Sequence, residues 1–424
     1  MTSLEAQRTA AGGDLRFLGD VGAYWRLLIR GAALLMVTLG IYRFWLATDI
    51  RRFLWANTEI AGETLEYTGT PLELLIGFLA AIAILIPVYG AFFVATLDLP
   101  GIARFSGLIG FALLFLLGQY AIYRARRYRL TRTIYRGLRF HQEGSPWRYA
   151  LRAVLWWMLT ALTFGLAYPF QLASLERYKM RNTFYGDLQG RFDGAGFALF
   201  LRGLLMWFLI AGPIAIAVGA FVETVDWKAL GDALAQGGND VMSHIESGNP
   251  RLADVTVFAM LMAGVSGAMA ALLYPAFQAL LLRWWSSGLR FGEITMKSRL
   301  RTASVYGAYM RFLGYSLLFL LGVSVAGGVI AGSIIGTFGR YFTAPNHSPI
   351  LDIIAALGGL GLYVVTMLGL SAVYRATVML SLWRLGMESL QLSGLSALDQ
   401  VKATGKPASA LGEGLADALH VGGY

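Results

Sequence analysis

The side chains of this sequence best suited to chemistry are arginines, and they recur in one setting. A module reads RRFLWANTEIAGETLEYTG from Arg51 to Gly69 and RRYRLTRTIYRGLRFHQEG from Arg126 to Gly144. It returns as ERYKMRNTFYGDLQGRFDGAG, where Arg177, Tyr178, Asn182, Thr183 and Gly194 fall on Arg52, Phe53, Asn57, Thr58 and Gly69. Weaker relatives run from Arg283 to Arg301 and from Leu382 to Leu398. A guanidinium is a planar fork of donors that grips phosphate oxygens two at a time. Several modules side by side could therefore make a basic platform for anionic groups, and Arg126, Arg127, Arg129 and Arg132 are its candidate anionic-lipid contacts. The plainer use is a helix-terminating connector, with Arg at the membrane face, Asn and Thr on the last carbonyls, and Gly to turn. Both uses stay open at the level of sequence.

Other chemistry is thinly supplied. The chain has no cysteine, which removes disulfides, thiolate metal sites and a cysteine nucleophile together. Its histidines, His141, His244, His347 and His420, are scattered, and none has a carboxylate or second histidine four residues further on. No phosphate-cradling glycine loop follows a strand, so neither an enzyme nor a cofactor is expected. Polar groups at membrane depth are functional pointers by default. Here they are Gln171, after Tyr168-Pro169-Phe170, and Gln278, after Tyr274-Pro275. Broken helices around a pathway would use them, whereas a proline kink with glutamine reaching the head groups would not.

The elements that must position these residues follow from composition. Of 424 residues 57% are hydrophobic and 14% charged, against roughly 45–50% and about 25% in soluble domains. Long uncharged runs span Leu74–Leu97, Phe105–Tyr123, Gly203–Val222, Val255–Leu282, Phe312–Gly339 and Ile353–Tyr374, each near the roughly 20 residues that cross a bilayer. Two shorter runs, Gly31–Tyr42 and Ala153–Phe170, carry Thr38-Leu39-Gly40 and Thr163-Phe164-Gly165 and suit re-entrant turns. The expected fold is an all-α polytopic membrane protein of six long transmembrane helices plus two short re-entrant or spanning segments. Short β-hairpins, internally repeated, would lie at the cytoplasmic surface with Gly62, Gly137 and Gly186 at or near their turns. The spacing divides the chain into a polar segment 1–24, repeat units 25–146 and 147–305, a third helical pair 306–400 and a flexible tail 401–424.

Charge sets the expected topology. Lys and Arg number 35 against 25 acidic residues, a net +10, and the arginine-rich modules all fall on the cytoplasmic side by the positive-inside rule. The loop 223–254 holds Glu223, Asp226, Asp232, Asp240, Glu246 and Asp254 against Lys228 and Arg251, and reads as external. The long runs then pair as out-and-back hairpins with a cytoplasmic N-terminus. Making both short runs true spans would give eight and put arginine-rich modules outside.

The stretch TLGIYRFWLATDIRRFLWANTEIAGETLEYTG, from Thr38 to Gly69 and preceded by LRFLGDVGAYW, resembles the signature of the YjgN-like family of bacterial inner-membrane proteins. That signature has an aromatic-glycine opening, a Thr-Leu-Gly-Ile-Tyr turn, a Pro-Trp pair, basic residues with Tyr, then Asn and Gly. Phe44 stands where Pro is usual, and Pro169-Phe170 restores the pattern in the third module. The resemblance implies an inner-membrane, multi-pass helical protein and supplies no activity. From duplicated units with paired re-entrant segments, the first expectation is a transport or channel protein for a small solute, ion or lipid. The alternative is a non-transporting scaffold or envelope-assembly factor whose basic cytoplasmic face binds anionic lipid or a partner protein. Expected partners are membrane lipids and a second copy or another membrane protein, with no role for nucleic acid.

Overall fold

The computed structural model describes residues 15–98, 100–236, 247, 251–342, 349–404, 411–419 and 421. Strand β1 (Leu15–Phe17) lies within the N-terminal segment expected to be merely polar, and helices α1 (Val21–Val37) and α2 (Arg43–Ala56) follow. Asp20 starts α1 by accepting from Ala23 N at 2.7 Å, as an N-cap carboxylate does. Three short strands come next, β2 (Thr58–Ile60), β3 (Glu63–Thr64) and β4 (Glu66–Tyr67), then helices α3 (Pro71–Asp98) and α4 (Pro100–Thr131). The pattern continues with β5 (Thr133–Tyr135), β6 (Leu138–Gln142), α5 (Pro146–Leu162), α6 (Tyr168–Arg181), β7 (Thr183–Tyr185) and β8 (Leu188–Phe192). Helices α7 (Gly196–Thr224), α8 (Trp227–Gln236) and α9 (Leu252–Gly288) precede β9 (Leu289–Phe291) and β10 (Ile294–Ser298). Last come α10 (Thr302–Phe342), α11 (Pro349–Tyr374), a π-helical turn Arg375–Met379, α12 (Leu380–Glu388), β11 (Leu390–Ser393) and α13 (Leu411–Ala418).

Six helical stretches among the described residues are long and apolar enough to span a membrane: α3, α4, α7, α9, α10 and the path from α11 through α12. They coincide with the six uncharged runs, and the chain is a multi-pass membrane protein. The two shorter runs are helical hairpins instead. Helix α1 turns back into α2 at Leu39 and Gly40 (φ 50° and 90°), and α5 turns back into α6 at Phe164 and Gly165 (φ 50° and 90°). Both tips push apolar side chains outward, with Leu39 94% and Phe164 84% exposed. An α-helix rises about 1.5 Å per residue, so the 17 residues of α1 and of α5 can reach deep into a leaflet and return. Of the expected external loop, α8 is described, while residues 237–246 and 248–250 lie outside the described residues.

The hairpins join into sheets. Strands β4 to β11 form one eight-stranded antiparallel sheet in sequence order, and β1, β2 and β3 form a second. Only Leu65 separates β3 from β4, and β11 lies against β1, so the strand succession comes back to its start. The turn residues explain the tight connections: Ala61-Gly62 and Arg136-Gly137 both have positive φ, the two-residue turn whose twist matches that of its strands. The buried core lies beside these sheets. Phe17, Tyr24, Leu28, Leu46, Ile50 and Leu54 pack with Ala372, Ala376 and Leu380, and Tyr123, Tyr149, Ala153 and Leu175 make a second cluster. The most apolar windows of α10 and of the α11–α12 path bury 0% of their residues inside the protein, a surface suited to lipid.

Two compact units result, Met1–Gly194 with Leu282–Tyr424, and Ala195–Leu281. This division cuts across the expected boundaries at 146 and 305, because strand pairing ties segments distant in sequence into the first unit. Within the second unit, Ser266 donates to the carbonyl of Ile210 at 2.6 Å, holding α9 to α7.

The hairpin tips give a direct check. Branched side chains fit poorly at φ near 90°, so Gly40→Val and Gly165→Val should each lower stability in detergent by roughly 1–3 kcal/mol. Thermal unfolding midpoints equal to that of the parent chain would contradict the described turns.

Candidate functional site

Three of the helices that run into strands, α2, α4 and α6, end in closely similar ways. Asn57 Nδ2 donates to the Phe53 carbonyl and Asn182 Nδ2 to that of Tyr178, both at 2.7 Å. The next residue, the first of the strand, turns its hydroxyl back on the same helix: Thr58 to Leu54 O at 2.7 Å, Thr183 to Lys179 O at 2.8 Å, and Thr133 to Arg129 O at 2.9 Å. The last carbonyls of a helix lack intrahelical partners, and these side chains supply them. Thr58 and Thr183 are buried, at 0% and 1% exposure.

The arginines close the other end of each hairpin. Arg52 donates to the carbonyl of Gly69 at 3.0 Å, Arg177 to that of Gly194 at 3.2 Å, and Arg283 to that of Leu300 at 3.2 Å. Arg127 does the same to Gly144 at 2.5 Å. In all four the acceptor lies 17 residues beyond the arginine. A side chain on the incoming helix thus clamps the backbone where the outgoing segment leaves the hairpin. Glycine is needed at two of these acceptors for a second reason: a Cβ on Gly69 would meet the Tyr67 ring at 2.6 Å, and one on Gly194 the Phe192 ring at 2.4 Å.

Neighbouring modules are then stitched together through the strand-starting threonines. Trp55 Nε1 donates to Thr133 Oγ1 at 2.9 Å, Arg126 Nη1 to Thr183 Oγ1 at 2.8 Å, and Trp383 Nε1 to Thr58 Oγ1 at 3.0 Å. Trp285 Nε1 reaches Glu176 Oε2 at 3.1 Å, and the Arg299 amide donates to the Ser389 carbonyl at 2.9 Å. Trp55 and Trp383 also stack with centroids 5.2 Å apart.

Of the four candidate lipid contacts, each has a partner inside the protein. Arg126 bonds Gln142 at 3.1 Å as well as Thr183, Arg127 holds Gly144, Arg129 lies 3.9 Å from Glu413, and Arg132 pairs with Glu73 at 2.8 Å. Gln171 is 2% exposed and accepts from Thr160 at 2.7 Å across the α5–α6 hairpin. Gln278 donates to Tyr274 of its own helix at 3.4 Å. The two glutamines belong to different compact units. Among the exposed basic residues are Arg26 and Arg30 on α1 and Arg148 and Arg152 on α5. Each pair follows an aromatic residue, Trp25 or Trp147. The repeated Trp-Arg-x-x-x-Arg spacing was the signal that could have found them.

The tail expected to be flexible departs from that expectation. Helix α13 docks against α3 and α4, with Glu413 bonded to buried Arg51 and Asp417 2.8 Å from Arg43. The carboxylate of Glu413 and the phenol of Tyr67 hold the Arg51 guanidinium above its ordinary pKa, against burial, which works the other way and is the largest single influence. Burial alone would raise the Glu176 carboxyl, but Lys179, Arg126 and Trp285 together bring it below the usual glutamate value. His141, buried and stacked on Phe184, is held below its ordinary pKa by burial. Among the described residues no group of three or more His, Asp or Glu side chains gathers where a metal could be held.

A family model described as a bacterial protein of unknown function (DUF898) matches residues 13–418. No curated protein and no solved structure matches the chain.

Two measurements check these assignments. Losing a charged donor to a backbone carbonyl costs about 1.5–3 kcal/mol, so Arg177→Gln should destabilise by that order, while Arg181→Gln, one turn further along the same exposed face, should not; equal effects would remove the clamp. The lowered Glu176 contributes stability that is complete above the unfolded-state value of about 4.3 and is lost as pH falls through the folded-state value. Glu176→Gln should flatten that part of the acid stability profile, and an unchanged profile would show that the ion pair carries none of it.

Proposed function

The chain belongs to the DUF898 family of bacterial proteins of unknown function, and on the geometry above we propose that it is a non-transporting scaffold of the inner membrane. In this reading the sheet lies on the cytoplasmic side, the six long helices anchor it across the bilayer, and the α1–α2 and α5–α6 hairpins enter one leaflet as wedges. The observation that carries the reading is the continuous eight-stranded sheet. It collects the ends of helices from every part of the first unit into one rigid layer, and the module arginines serve to build that layer.

Lipid binding then falls to the hairpins. Arg26, Arg30, Arg148 and Arg152 are exposed beside Trp25 and Trp147, the pairing of aromatic belt and basic residue found at membrane interfaces. Each such arginine near an anionic surface is worth about 1 kcal/mol. The apolar tips at Leu39 and Phe164 occupy the acyl region in this arrangement, where their transfer from water is favourable. The polar residues weighed for a transport pathway are each engaged locally, Gln171 with Thr160 and Gln278 with Tyr274. No catalytic role is assigned to any residue.

Purified protein in liposomes should pass no more ions, small solutes or fluorescent lipid than empty vesicles. Replacing Arg26, Arg30, Arg148 and Arg152 with Gln should cut co-purifying anionic lipid severalfold with the fold intact. Solute flux well above empty vesicles would contradict the scaffold reading and return the chain to the transporters.

A further inference from the structure

A cavity of ≈ 200 Å³ opens beside the docked helix α13. Arg43, Arg51 and Arg375 line one side of it, and Glu413 and Asp417 of α13 line the other. The carboxylates are four residues apart, so they project from one face of a helix. Glu413 bonds Arg51 and lies 3.9 Å from Arg129, while Asp417 lies 2.8 Å from Arg43. Three guanidinium groups thus meet two carboxylates, a fourth, that of Arg375, lines the same cavity, and Arg51 is only 4% exposed. Desolvating that much like charge is costly unless anions neutralise it, and here the anions arrive on a tail.

The way the tail is held marks it as exchangeable. Helix α13 has eight residues, too short to be stable alone. Its contacts with α3 and α4 join small and aliphatic residues: Ala416 packs on Ala121 and Ala125 with Leu415, Leu419 and Val421 against them, and a Cβ on Gly414 would come 1.9 Å from the backbone of Gly77. The ion pairs of Glu413 and Asp417 add to this packing on the side that faces the arginines. Gly77 and Ala125 lie near the ends of α3 and α4 that adjoin the sheet.

We propose that this crevice is a binding site for a phosphate group, with Glu413 and Asp417 as a tethered competitor that the phosphate displaces. A phosphate suits the site better than two carboxylates, because its oxygens accept bidentate bonds from several guanidinium forks at once. A phosphodiester headgroup entering from the bilayer and a free phosphate from solution share this chemistry. The inference concerns a different site from the hairpin arginines and holds whether or not the chain moves a solute.

The absence of cysteine makes a clean test. A single Leu415→Cys, on the part-buried face of α13 that packs on the Ala121–Ala125 cluster, reports the tail through its rate of reaction with a maleimide in detergent. Three additions are compared: phosphatidylglycerol, zwitterionic phosphatidylcholine and inorganic phosphate. A saturable rise of about tenfold, the scale on which a state-selective ligand shifts such an equilibrium, is expected with phosphatidylglycerol or with inorganic phosphate. Whichever acts identifies the source. Arg375→Ala should weaken that response. Glu413→Gln with Asp417→Asn should raise the rate before any addition and lower the ligand concentration needed to saturate. If the carboxylate variant frees the tail but neither anion changes the parent rate, or if phosphatidylcholine acts equally, the crevice is a structural ion-pair cluster and the proposal is overturned.

Discussion

The constraint on which this structure depends is that a helix leaving a membrane must find partners for its last carbonyls while the chain turns back at once. Here a short local device meets it. An Asn or Thr closes the helix, a glycine-centred turn reverses the strand, and an arginine of the incoming helix catches the carbonyl where the chain departs. Because that arginine is charged and partly shielded from water, the bond is stronger than a neutral one. It fixes the backbone at the point where the chain leaves the hairpin.

From that device the larger architecture follows. A lone two-stranded hairpin is marginal in water, so the β2–β3 hairpin gains β1 and the later hairpins pair edge to edge with one another, and tryptophans and Arg126 tie the strand-starting threonines across the joins. The core grows beside the sheet, where Tyr24, Tyr123 and Tyr128 are buried, rather than among the spans. The spans are left with apolar faces, and their stability comes from the bilayer as solvent.

Much of this was legible in the sequence because it rests on local rules. The six spans follow from run length, the helix ends from Asn57-Thr58 and Asn182-Thr183, and the turns from Gly62, Gly137 and Gly186. What stayed hidden depends on contacts between distant residues. Nothing near Arg129 reveals that Glu413 lies beside it, nor does a Gly- and Ala-rich tail suggest a docked helix until Gly414 is seen against Gly77. The division of labour among arginines was hidden for the same reason. A sequence shows which are basic, while only the fold shows that Arg127 and Arg177 hold carbonyls and that Arg26 and Arg148 face outward.

The central claim is that all the hairpins lie in one layer on one side of the membrane. Single cysteines at Glu63, Gln189 and Lys297, exposed positions on or beside three different hairpins, test it in a chain with no cysteine of its own. With a membrane-impermeant thiol reagent, the three should behave alike, protected in intact cells and reactive once the membrane is opened. Labelling of one from outside while another stays protected would place the hairpins on opposite faces and contradict the single layer.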